Sequence, residues 1–134
     1  MKKDKTRLDH ALNNEKACDY LSLHANYKDW VITTAFYSAL QFVSYKIFPF
    51  IHSDSGKDTK IESIDQYKGV LKTDLNKHKL LRDLVEDKCA EIHEDYSWLL
   101  SYSYSARYVN YQYPVEVSNR AKSLLAKIKT HCTK

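Results

Sequence analysis

The residues best suited to chemistry lie near the end of a long apolar-periodic segment. Ser105-Ala106-Arg107-Tyr108 is followed by Tyr111, Tyr113 and Pro114. Seven aromatic residues fall between Tyr96 and Tyr113: Tyr96, Trp98, Tyr102, Tyr104, Tyr108, Tyr111 and Tyr113. A guanidinium among such rings can hold a phosphate and stack an unpaired base. The pattern also suits a structural role, because tyrosine buries a ring and keeps a polar tip, which fits a helix end or a subunit seam. His78 and Arg82 form a second pair at helical i, i+4 spacing. They can bind an anion, alone or with Arg107; the plainer alternative is a helix-start pair with His78 tied to a carboxylate. The expected ligand-binding residues are Arg107, Tyr104, Tyr108, Tyr111, Arg82 and His78, and the candidates for catalysis are Arg107, His78 and Tyr113.

Other chemistries find little support. Asp83, Asp87, Glu91 and Asp95 recur at every fourth position. Hard cations need oxygens converging from several elements, and a single stripe does not converge. It reads instead as a solvated face, or as one opposing basic residues of another helix. Cys18, Cys89 and Cys132 are odd in number and show no zinc spacing with the histidines. They read as reduced thiols of a cytoplasmic protein. Gly56 and Gly69 are the only glycines, so neither a phosphate-binding loop nor a nucleophile elbow can be built. No metal and no cofactor are expected.

Helices must position these residues. Two glycines and two prolines in 134 residues leave few turns. The length fits one domain, and 43% apolar with 28% charged residues is ordinary for a globular chain. The net charge of +4 sits partly at the termini, where Lys2, Lys3, Lys5 and Arg7 begin the chain. It permits RNA as a partner without specifying it. The spacing predicts a first helix capped by Thr6 and ending near His24–Asn26. A second runs from about Tyr27 to Phe48, apolar almost all round once Trp30, Leu40 and Phe42 join its stripe, and stopped by Pro49. Its 16 uncharged residues from Trp30 to Tyr45 fall short of the roughly 20 that span a bilayer, so it reads as a buried helix. Residues 49–60 read as a loop, and 61–75 as a weak helix. A segment from Lys77 to Tyr108 should break near Lys88–Ala90, since unbroken it would be near 48 Å at about 1.5 Å per residue. The Tyr111–Pro114 turn leads to a last helix over 115–131 with Val117, Ala121, Leu124, Leu125 and Ile128 inside. The fold class expected is all-α, an up-and-down bundle of four to five antiparallel helices over residues 1–134, with the basic first few residues frayed.

Taken in order, the motifs resemble those of small prokaryotic HEPN-domain proteins. Trp30 precedes Ala35-Phe36-Tyr37-Ser38-Ala39-Leu40; His78 and Arg82 follow, with Leu84-Val85 behind; then come Tyr96, Leu99 and the run Ser101 to Tyr108. The likeness covers about residues 25–130. It implies a helical bundle that dimerises through its long helices. Many such proteins are metal-independent ribonucleases of defence or toxin–antitoxin systems, often beside a nucleotidyltransferase; others have lost catalysis. The resemblance places an arginine four to six residues before a histidine at the dimer axis. Here Gln112, Tyr113 and Pro114 occupy the positions after Arg107, and Gln41 stands where many relatives carry a second-helix histidine. Tyrosine, with an ordinary pKa near 10, is a poor base at neutral pH. The leading expectation is therefore a non-catalytic, oligomerising module, a homodimer tied to RNA or to a nucleotidyltransferase partner. The alternatives are a ribonuclease with a displaced Arg/His/Tyr constellation, and a structural protein of a mobile element without nucleic-acid contact.

Overall fold

The computed structural model describes all residues, Met1–Lys134. It is mostly helical, with six α-helices and one small antiparallel sheet of two strands. The first helix, α1 (Lys5–Ser22), is capped by Asp4, whose carboxylate accepts from the Thr6 N–H at 3.0 Å. Thr6, the expected cap, lies inside the helix. Before it, the Lys3 ammonium donates to the carbonyls of Lys46 (2.6 Å) and Phe48 (3.4 Å).

The helix α2 (Lys28–Ile47) is the element on which the others pack, touching α1 and the three helices that begin at Lys77, His93 and Val115. Ile32, Ala35, Phe36, Ala39, Phe42 and Val43 are fully buried. Alanines and a serine at the α1 face let the two backbones approach, and Ser38 Oγ donates to the Ala11 carbonyl at 2.7 Å. Trp30, expected within the apolar stripe, is 53% exposed, because it lies off the buried face of the first turn while the following Val31 and Ile32 are buried. Pro49 ends α2 by holding Phe48 extended at ψ 144°.

The expected loop after Pro49 is a hairpin. Strands β1 (Phe50–Asp54) and β2 (Lys57–Ile61) pair with Phe50 opposite Ile61 and Asp54 opposite Lys57. Ser55 and Gly56 both take positive φ, 51° and 78°, as a two-residue turn between right-twisted strands requires. The hairpin is held at its base: Ile61 is fully buried, and the Phe50 ring lies 5.8 Å from Phe48 and 5.4 Å from Tyr67. Because Ile61 belongs to β2, the next helix, α3 (Ile64–Leu71), is shorter than the 61–75 expected; Ser63 caps it, accepting from the Gln66 N–H at 3.1 Å.

The long segment breaks where expected. The helix α4 (Lys77–Lys88) ends at Cys89, a 3-10 turn covers Ala90–Ile92, and α5 (His93–Tyr108) follows in a new direction. The acidic stripe is divided there. Asp83 and Asp87 face solvent, while Glu91 and Asp95 face α6 (Val115–Cys132) and lie 3.4 Å from His131 and 3.8 Å from Lys127. No three His, Cys, Asp or Glu side chains gather to hold a metal. No helix is long and apolar enough to cross a membrane. The three cysteines are unpaired and buried. Burial pushes the Cys18 thiol up to about 11 and the Cys132 thiol to about 12, and raises Cys89 as well, so none supplies a thiolate at neutral pH.

The core contains one flaw. Tyr96 is fully buried against Phe36, and its hydroxyl has no hydrogen-bond partner. An unsatisfied buried hydroxyl carries a desolvation cost. Tyr96→Phe should therefore stabilise the protein by about 1 kcal/mol, read as a higher urea midpoint with an unchanged slope. A lower midpoint would mean that the hydroxyl is satisfied.

Candidate anion-binding cleft

The cleft is built by two helices. The first half of α4 contributes Asn76, His78, Lys79 and Arg82, and the second half of α5 contributes Leu100, Ser101, Tyr104, Arg107 and Tyr108, around a volume of about 590 Å³. Both sets follow helical spacing, so each helix turns one face to the cleft and the opposite one to the core. On α4 the inner face is Leu80, Leu81, Leu84 and Val85; on α5 it is Tyr96, Leu99, Ser103 and Ala106. Asn76 caps α4 and accepts from the Lys79 N–H at 2.8 Å.

Arg107 is fixed rather than free. Its Nε donates to the Ser103 carbonyl at 3.1 Å, and its terminal N–H donates to the Tyr37 hydroxyl. The guanidinium carbon lies 5.3 Å from the Tyr37 ring centre, 5.2 Å from Tyr108 and 6.0 Å from Phe36. These contacts use two of the five guanidinium N–H donors and leave the others for a ligand. Lys79, Arg82 and Arg107 take part in no ion pair. No carboxylate lines the cleft. Tyr104 and Tyr108, 58% and 69% exposed, lie ring to ring at 5.1 Å on the rim.

His78 packs edge-on against Phe36, with ring centres 5.6 Å apart. Phe36 thus supports both the imidazole and the Arg107 guanidinium. No carboxylate ties His78, contrary to the plainer expectation for that pair. Burial lowers its pKa, and the charges of Arg107 and Lys77 lower it further, so the ring is neutral at pH 7. The chain has no histidine four to six residues after Arg107, but His78 of α4 lines the same cleft.

Five of the six expected ligand-binding residues, His78, Arg82, Tyr104, Arg107 and Tyr108, line this one cleft. Tyr111 does not; it lies in the adjoining α5–α6 turn. Tyr113 is turned away, its hydroxyl bonded to Ser105 Oγ at 2.7 Å and its ring against Tyr102. The aromatic cluster read from the chain is thus divided. Tyr96 is core, while Trp98 stacks on Tyr102 at 4.1 Å with Arg120 over the indole. Sequence reasoning missed Asn76, Lys79, Leu100 and Ser101 as lining and Tyr37 as the anchor of Arg107. Lys79 was findable, lying three residues before Arg82 on the same helix face. No family model, curated protein or solved structure matches this chain.

A histidine whose folded pKa lies below its unfolded value of about 6.5 resists protonation. Above that value it contributes nothing. As pH falls through it, the unfolded chain takes up the proton first and stability drops. His78→Gln removes this penalty. Urea midpoints of the two proteins should therefore move in the variant's favour between about pH 7.5 and 5.5. A constant gap would show that His78 protonates freely in the fold.

Proposed function

We propose that this chain is a HEPN-like helical module that binds single-stranded RNA in the α4–α5 cleft and acts as an oligomerising interaction protein. One observation carries the reading: three cations without acidic partners, Lys79, Arg82 and Arg107, converge beside two exposed tyrosines in a cleft without a carboxylate. Phosphate neutralises the cations, and an unpaired base covers the rings. An acidic peptide would satisfy the cations but leave the rings unused. The helical content, the central place of α2 and the order of the motifs support the HEPN-like bundle. Exposed Tyr20, Leu23, Tyr27 and Trp30 near the α1–α2 turn offer apolar surface to a second copy or to a nucleotidyltransferase-type partner, in a defence or toxin–antitoxin setting.

The position of His78 favours a second reading, a metal-independent ribonuclease. A neutral imidazole is the form that accepts a proton from a ribose 2′-hydroxyl. The Arg107 guanidinium, already oriented, would stabilise charge developing on the attacked phosphate. The products would be a 2′,3′-cyclic phosphate and a 5′-hydroxyl. Tyr113 has no part in this, being engaged by Ser105.

Two measurements test these readings. Binding of a labelled single-stranded RNA should weaken as salt rises, with a log–log slope near −0.7 per phosphate engaged. Arg107→Ala should weaken it at least about tenfold and flatten the slope by about one phosphate's worth. Salt-independent binding, or none, would remove the RNA reading. With EDTA present, wild-type protein that leaves RNA intact is the expected result; cyclic phosphate ends that vanish in His78→Gln would instead establish the ribonuclease.

A further inference from the structure

The cleft does not end at Tyr108. A hollow of about 210 Å³ curls round the end of α5 and takes Arg107 and Tyr108 from the cleft and Val109, Asn110 and Tyr111 from the turn. A third hollow, of about 410 Å³, lies between that turn and the start of α2, lined by Tyr111, Gln112 and Tyr113 on one side and Ala25, Asn26 and Lys28 on the other. Neighbouring hollows share residues: Arg107 and Tyr108 join the first two, and Tyr111 joins the last two. None of the three contains an acidic residue. Two other hollows on the protein do, one with Glu91 and Asp95 and one with Asp4 and Glu62.

We infer that these hollows form one continuous track for single-stranded RNA, running from the cations of α4 over Tyr108 and Tyr111 to Lys28. The inference rests on the cleft being a phosphate site and extends it to a polymer. Three exposed rings, Tyr104, Tyr108 and Tyr111 (the last 67% exposed), succeed one another along the path. Base stacking on such rings tolerates any sequence. Cations stand at both ends. Arg82, Lys79 and Arg107 hold the first phosphates. The Lys28 ammonium, which donates to the Ala25 carbonyl at 3.0 Å, retains further protons for a later one. The side-chain amides of Asn26 and Gln112, next to Lys28 and Tyr111, can bond base edges. A duplex cannot use the track, because its bases are already stacked and their faces covered.

The test compares labelled oligouridylates of two and about eight nucleotides by fluorescence anisotropy, with a hairpin duplex as competitor. The double variant Lys28→Ala with Tyr111→Ala alters an exposed ring and a half-buried lysine at the far end, outside the core and the α4–α5 cleft. The track requires that the longer strand bind wild-type protein about tenfold or more tighter than the dinucleotide. It requires that the double variant lose about tenfold on the longer strand and nothing on the dinucleotide. It also requires that the duplex compete poorly. Equal affinity of the double variant and wild type for the longer strand, with binding still dependent on Arg107, overturns the track and leaves the cleft intact. Arg107-independent binding at both lengths overturns both.

Discussion

A single guanidinium ties the chemistry of this protein to its core. Arg107 comes from the last turn of α5, yet it is held by the Tyr37 hydroxyl on α2 and the Ser103 carbonyl of its own helix. Its charge rests against Phe36 and Tyr37, and Phe36 is fully buried. Arginine suits this place better than lysine. A guanidinium can be anchored through some of its five N–H donors while keeping others, and its weaker hydration makes ring contact cheaper. The clamp removes most of the rotamer freedom that a ligand would otherwise have to freeze out. It therefore holds the guanidinium in one orientation at the cleft. It also couples the cleft to folding, since the ring beneath it belongs to the most buried stretch of α2.

Burial against Phe36 lowers the pKa of His78, and the nearby charges of Arg107 and Lys77 lower it further. The cleft is a cluster of like charges that the fold assembles without compensating acids. Like-charge crowding of this kind destabilises the empty protein and favours whatever anion relieves it. The basic face of α6 behaves differently: Lys122, Lys127 and Lys129 each meet a carboxylate from another helix. Their charges are neutralised within the fold; those of Lys79, Arg82 and Arg107 have no carboxylate partner.

The helical framework was readable because periodicity is strong where one helix face is buried. Leu81, Leu84, Val85, Tyr96, Leu99, Ala121, Leu124 and Ile128 are all buried at the positions their spacing requires. The hairpin was not readable, because its two strands are five residues each and mostly solvent-facing. Polar residues mask their alternation, and only Phe50 and Ile61 at the base carry a core signal. Trp30 misled for the opposite reason. A large apolar residue beside a stripe reads as core even when its own side of the helix faces solvent, as that of Trp30 does next to buried Val31.

The site was legible in its residues but not in its geometry. His78 and Arg107 are separated by 28 intervening residues and a break at Cys89. Spacing along one helix can place Tyr104 beside Tyr108, but it cannot foretell that the break folds α4 back along α5 and sets His78 opposite Arg107. Local sequence also could not separate Tyr108 from Tyr113, two tyrosines five residues apart. The end of α5 intervenes, and past it the chain turns Tyr113 to a different side, where Ser105 engages its hydroxyl. A motif search along the chain looks for the histidine after the arginine. In this fold the break at Cys89 instead lets residues from the preceding helix, His78 among them, line the same cleft as Arg107.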